Sequence, residues 1–242
     1  MTRAPFLSIV IPAYNEEKRI GASLALMLDY LSSRPFSYEF VVSDDGCTDR
    51  TEEVVRQALG GTALLRYIKS DRNMGKGHAV KVGMLNSSAR FSLLTDADLS
   101  TPVAELDKFL PFMNDEKAVL VGTRKTQGAH VLKHQHFVRE NMGKCFTHLT
   151  NLILWMRQSD FTCGFKVFGA LSRWQIFNRL RINRWGYDAE VLFLAKYYNF
   201  FIREIPVTWS NSEATRVNLA LDTARTLKEL FEIRWNQATN KY

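Results

Sequence analysis

Over its first half the chain alternates short β-rich runs with helical patterns, and that alternation constrains its fold more than any other feature. Residues 7–12 read as a buried strand. Ile20, Leu24, Met27, Leu28 and Leu31 then recur at helical spacing and predict an amphipathic helix. Residues 38–43 form a second predicted strand, before a helix that Asp49 is placed to cap, with Glu52 three residues on. Residues 64–68 give a third strand, and a helix is predicted over 77–88. Residues 91–95 give a fourth, after which Thr101 and Pro102 suit the cap and first residue of another helix. Residues 118–122 give a fifth. Strands and helices alternating at this pitch predict an α/β fold with a mostly parallel central sheet flanked by helices. Ligands of such sheets sit at the carboxyl ends of the strands.

Beyond Gly122 the pattern loosens. Residues 123–136 are polar and read as a mobile loop, and 137–156 as a long helix. Strands are expected over 164–168, 201–206 and 207–209, with a helix over 187–198 and a terminal amphipathic helix over 220–237. There is no internal repeat. A chain of 242 residues, 46% hydrophobic, can bury one core of generous size, so a single domain is expected. The longest apolar run is five residues, far below the roughly 20 that a spanning helix needs, and no signal peptide is expected. Cys47, Cys145 and Cys163 form no CxxC pair, which suits a reducing compartment.

The strand ends carry the chemistry. Asp96 and Asp98 close the fourth strand at i and i+2, so both carboxylates face one site. A hard divalent cation, Mg²⁺ or Mn²⁺, removes their repulsion and bridges diphosphate oxygens. The first strand ends in Pro12-Ala13-Tyr14-Asn15-Glu16 and the second in Asp44-Asp45-Gly46, all at the same edge. Asn73-Met74-Gly75-Lys76-Gly77 opens the helix after the third strand; its glycines admit a close backbone approach, and Lys76 at a helix N-terminus suits a phosphate. Together the four segments make a nucleotide-diphosphate site.

These segments, in this order, resemble the successive motifs of family 2 glycosyltransferases with the GT-A fold. Gly122-Thr123-Arg124, Asp160 with Gly164-Phe165-Lys166, and Arg184-Trp185-Gly186-Tyr187-Asp188 with Glu190 resemble the polyprenyl-phosphate hexose synthases, the dolichyl-phosphate glucosyltransferase type most of all. The resemblance implies an inverting transfer of a hexose, glucose from UDP-glucose, to a polyprenyl phosphate; GDP-mannose is the alternative donor. It implies that Pro12, Tyr14, Glu16 and Asp44, with Asp45 and Lys76, hold the donor. Asp96 would touch the donor and Asp98 the metal, while Arg124 and Arg139 clamp the acceptor phosphate and Asp188 and Glu190 support the acceptor site. Residues 1–122 would then be the nucleotide-sugar half and 123–242 the acceptor half. Cys47 stands where the family usually has Ser, and the spanning segments of many relatives are missing.

Charge agrees with an anionic acceptor. Residues 1–121 balance at −2 and residues 122–242 at +9. A peripheral position on the cytosolic face of a membrane follows, reached through amphipathic helices around 141–156 and 220–237 or through a membrane-embedded partner. No nucleic acid is expected as a partner, because no RNA- or DNA-binding module is present and the acidic edge repels phosphate without metal. A nucleotidyltransferase would need a Gly-rich, Arg-containing N-terminal signature that is missing here. His130, His134 and His136 have no acid or Cys to complete a metal set and read as solvated loop residues.

Overall fold

A computed structural model describes residues 4–60, 64–133, 137–211 and 219–242, with the side chains at 64, 137–141 and 219–224 left outside that description. The strands are β1 (Leu7–Ala13), β2 (Tyr38–Asp44), β3 (Leu64–Lys69), β4 (Phe91–Leu94), β5 (Val119–Thr123), β6 (His130–Lys133), β7 (Lys166–Gly169), β8 (Ile202–Pro206) and β9 (Thr208–Ser210). The helices are α1 (Ile20–Ser32), α2 (Thr51–Leu59), α3 (Lys76–Leu85), α4 (Phe137–Leu154), α5 (Ala170–Arg179), α6 (Tyr187–Tyr197) and α7 (Leu219–Ala238).

Seven strands form one sheet in the order β3-β2-β1-β4-β7-β5-β8. All neighbours are parallel except β7, which runs against both β4 and β5. The second half of the chain therefore completes the sheet begun by the first. Every residue of β1 is buried, because helices cover both faces. Leu7, Ile9 and Ile11 pack with Leu24, Met27 and Leu31 of α1 and Val55 of α2, while Val10 faces Val80 and Met84 of α3. This period-two division fixes the register, since a one-residue slip would exchange the two faces.

Four local expectations are corrected. The stretch 123–136 contains β6, which pairs with β9 in a small parallel ladder, His130 opposite Thr208; its backbone bonds are satisfied by a segment nearly eighty residues on. After β4 the chain makes two 3-10 turns, Val103–Lys108 and Leu110–Phe112, and Pro102 lies just outside the first. Arg50 stands at the cap position of α2, and Asp49 instead accepts from the Thr51 amide at 3.0 Å and hydroxyl at 2.6 Å. Helix α5 was not expected. His134 and His136 lie outside the described residues. Cys47, Cys145 and Cys163 are free thiols, and no described helix is long and apolar enough to cross a membrane.

Candidate active site

Parallel pairing brings the ends of β1, β2 and β4 to one edge, and antiparallel β7 begins there, with Lys166 opposite Leu94 and Val121. Asp44 and Asp45 are buried at that edge with internal partners. Asp44 accepts from the Cys47 amide at 2.6 Å and the Tyr67 hydroxyl at 2.5 Å. Asp45 accepts from the Met74 and Gly75 amides at 2.9 and 2.8 Å, which pins the loop that opens α3. Gly75, at φ 112°, lies against the Asn183 carbonyl so closely that a Cβ would sit 2.4 Å from it. Asp45 and Gly75 thus aim Lys76 into the site. Pro12 is buried in β1, and Tyr14 is exposed beyond its end. Asn15 turns the chain at φ 54°, its amide donating to the Cys47 sulfur at 3.1 Å. Burial pushes the Cys47 thiol up to about 12, so it stays protonated and serves the turn that a Ser hydroxyl would serve.

Lys76 Nζ lies 2.7 Å from Asp96 Oδ1 and 5.6 Å from the centre of the Trp185 ring. Burial alone would raise the Asp96 carboxyl, but Lys76, Lys166 and Arg124 outweigh it and hold the group below its ordinary range. Gly164 packs on this carboxylate; a Cβ there would meet Asp96 Oδ2 at 2.1 Å. Asp98 accepts from the Ser100 amide at 3.0 Å and lies 3.7 Å from Arg19, whose guanidinium donates to both oxygens of Glu16. Among the described residues, no group of three His, Cys, Asp or Glu is disposed to hold an ion by itself. A divalent cation at the Asp96–Asp98 pair would take its other ligands from water or a diphosphate, as Mg²⁺ commonly does. Asp98 suits that role better than Asp96, whose nearer oxygen is already on Lys76.

The end of β5 presents Arg124. Its guanidinium forks onto Asp160 at 2.7 and 2.8 Å, donates to the Thr162 hydroxyl at 2.8 Å and lies 5.2 Å from the Trp209 ring. Asp160 is fully buried; desolvation would raise it, but Arg124 holds it down at about 2. The side chain of Arg139, near the start of α4, lies outside the described residues. Asp188 pairs with buried Lys166, which joins it to the site. Glu190 is fully buried and accepts from the Arg181 and Ile182 amides and the Tyr242 hydroxyl, a bracing position with no oxygen exposed to a ligand. Trp185, Lys166 and Asp160 stand in sequence motifs that assigned them no role; here Trp185 stands over Lys76, Lys166 pairs with Asp188 and Asp160 holds Arg124. Glu229 of α7, which accepts from the Gly186 amide at 2.7 Å, was missed. Glu229 gave no signal in sequence because its partner is 43 residues away.

The chain matches the family model described as "Glycosyl transferase family 2" over residues 8–179. It is 29% identical to a human dolichyl-phosphate beta-glucosyltransferase over 98% of this chain and 77% of that one. It is 31% identical to a dolichyl-phosphate beta-glucosyltransferase of Saccharomyces cerevisiae over 95% and 74%. Among solved structures it resembles glucosyl-3-phosphoglycerate synthase from Mycobacterium tuberculosis, in complex with Mn²⁺, UDP-glucose and phosphoglyceric acid. There the TM-score is 0.64 at 14% identity, over 95% of this chain and 78% of the other. At that identity the likeness speaks for the fold, a GT-A glycosyltransferase fold, and the family match reaches from β1 to the last residue of α5. The chain is a glycosyltransferase and belongs to glycosyl transferase family 2.

Proposed function

We propose that this enzyme transfers glucose from UDP-glucose to the phosphate of a polyprenyl lipid and inverts the anomeric centre. The observation that carries the reading is one sheet edge where Asp96, two residues before Asp98, lies 2.7 Å from Lys76, and where β7 begins with Lys166 and β5 ends before Arg124. Two anionic reactants need such mixed charge to approach each other. The names of the relatives support the sugar and the lipid phosphate, and the mycobacterial complex supports the donor and the metal.

Residues 1–122 hold the donor: Pro12, Tyr14 and Glu16 line its nucleoside end, Asp44 and Asp45 shape the turns, and Lys76 meets the diphosphate. Asp98, helped by Asp96, would hold Mg²⁺ or Mn²⁺, which supplies charge neutralisation to the leaving diphosphate. Residues 123–242 receive the acceptor, with Arg124 and Arg139 on its phosphate. A phosphate monoester has a second pKa near ~6, so it arrives as an anion and attacks without a strong general base. Catalysis then rests on alignment and on screening of like charge, for which arginine's planar fork is the better clamp. Asp188 holds Lys166 in this set. Single displacement of an α-linked donor gives a β-linked product.

The enzyme works on the cytosolic face of a membrane, where its acceptor is held, either by its own surface or beside a membrane-embedded partner. Labelled UDP-glucose and GDP-mannose, each offered with polyprenyl phosphate in detergent, test the reading. Transfer from UDP-glucose, abolished by EDTA and restored by Mn²⁺, is expected. Transfer from GDP-mannose alone would assign the mannosyl reaction instead.

A further inference from the structure

Between α5 and α6 the chain runs through residues 180–186 with neither helix nor strand, and this strap lies across the head of α3. The contact is backbone to backbone. A Cβ at Gly75 would sit 2.4 Å from the Asn183 carbonyl oxygen, and one at Gly77 would sit 2.4 Å from that of Ile182. The His78 amide donates to the Asn183 carbonyl at 3.1 Å, and Lys81 Nζ to the Leu180 carbonyl at 2.7 Å. Near the end of the strap the centre of the Trp185 ring stands 5.6 Å from Lys76 Nζ. Lys76 thus sits between two glycines that the strap touches, and a shift of the strap moves it.

A segment without a ladder of its own must find other partners for its backbone amides. Glu190, fully buried in α6, supplies them: Oε2 accepts from the Arg181 amide at 3.0 Å and the Ile182 amide at 2.7 Å. Its other oxygen accepts from the Tyr242 hydroxyl at 2.5 Å. Tyr242 is held in turn, 6.1 Å from the Phe193 ring and 6.3 Å from that of Tyr197. Beside it Arg181 donates to the Lys241 carbonyl at 3.1 and 2.8 Å. A buried carboxylate is a costly way to fasten a helix, since an apolar side chain packs without losing hydration. It is a good way to fasten two consecutive amides and a hydroxyl at once.

We propose that Glu190 and Tyr242 are positioning residues for the donor: through the strap they hold Lys76 where it meets the diphosphate, an inference that rests on that role of Lys76. They act at one remove from the donor. Glu190 stands in the half of the chain that receives the acceptor, yet its bonds lead to the donor side of the edge. A lysine is a point charge on a flexible stem, so its value to a phosphate depends on what limits its positions. Here the limits are the glycine contacts, Asp96 and the Trp185 ring. The first and the last of these belong to the strap.

The test is a double-mutant cycle of Tyr242→Phe, Lys76→Ala and the pair. Calorimetry in Mn²⁺ titrates UDP and GDP, and the cycle is read on whichever the wild type binds more tightly. Tyr242→Phe keeps the ring against Phe193 and Tyr197. It is expected to weaken nucleotide binding about threefold to tenfold, the scale of one net hydrogen bond, and to raise the donor KM while sparing the acceptor KM. On the Lys76→Ala background it should add less than about twofold, because both changes then act on one contact. Burial already raises the Glu190 carboxyl above its ordinary range, which makes a neutral amide a close substitute. Glu190→Gln offers an oxygen to the amides and an N–H to the Tyr242 oxygen, so it should stay within about twofold of wild type. Glu190→Ala should lose at least as much as Tyr242→Phe. An effect of Tyr242→Phe that persists in full on the Lys76→Ala background, or an affinity it leaves unchanged, overturns the proposal and leaves the role of Lys76 standing. A Lys76→Ala variant that binds as tightly as wild type removes that role and the proposal with it.

Discussion

Asp96 and Asp98 stand two residues apart, and their neighbours divide the work between them. Asp96 is tied to Lys76 and backed by Gly164, whereas Asp98 has one amide and a more distant guanidinium. Asp98→Asn is therefore expected to lower turnover by about 10²–10³, the scale of losing one preorganised electrostatic contact, with the thermal midpoint unchanged. Full turnover in excess EDTA would contradict the metal role. Asp160 makes a different prediction. Its carboxyl is held at about 2 against an ordinary 3.8, so its folded pKa is depressed. The stability it contributes, roughly 2–3 kcal/mol, is present above pH ~4 and lost as pH falls toward ~2. Asp160→Asn leaves Arg124 buried without its partner and should destabilise by about 3–5 kcal/mol at neutral pH. In denaturant titrations the gap between wild type and variant should narrow through that acid window; a constant gap would mean the ion pair is not its cause.

At the scale of elements, the loop that opens α3 depends on residues outside it. Asp45 holds the Met74 and Gly75 amides, and the carbonyl of Asn183 lies against Gly75. Asp45→Ala should cost about 1–3 kcal/mol for the stranded amides and weaken nucleotide binding, read by calorimetry, because Lys76 loses its aim. Gly75→Ala adds strain at positive φ to a clash with backbone and should destabilise by at least about 1–2 kcal/mol. These supports mark how far the sequence is legible. The strand ends could be read because β1, β2 and β4 are short runs, buried throughout but for Tyr38 at the start of β2, and closed by polar residues. Strand β6 could not, since its side chains are mostly exposed and only pairing with β9 makes it a strand. Helix α5 buries just Ser172, Ile176 and Phe177 and leaves Leu171 and Trp174 exposed, so it has no clean apolar stripe. The acids at 44, 45, 98 and 160 were visible as acids. Which of them face a ligand and which hold a turn depends on partners distant in sequence, and periodicity has no access to those.

One seven-stranded sheet draws on both halves of the chain, which carry opposite charge balances, −2 over residues 1–121 and +9 over 122–242. Donor and acceptor binding should therefore separate by mutation. Arg139→Lys keeps the charge but loses the fork, and is expected to raise the acceptor KM while sparing donor affinity; a collapse of donor affinity with unchanged acceptor kinetics would reverse the assignment. The edge where the halves meet has Lys76 and Asp96 on one flank and Arg124 on the other, an arrangement suited to direct attack of one anion on another. The anomeric configuration of the lipid product, made from α-linked UDP-glucose and read by nuclear magnetic resonance, tests that most directly. A β-linked glucosyl phosphodiester is the expected result, and an α-linked product, or free glucose with the lipid phosphate untouched, would contradict it.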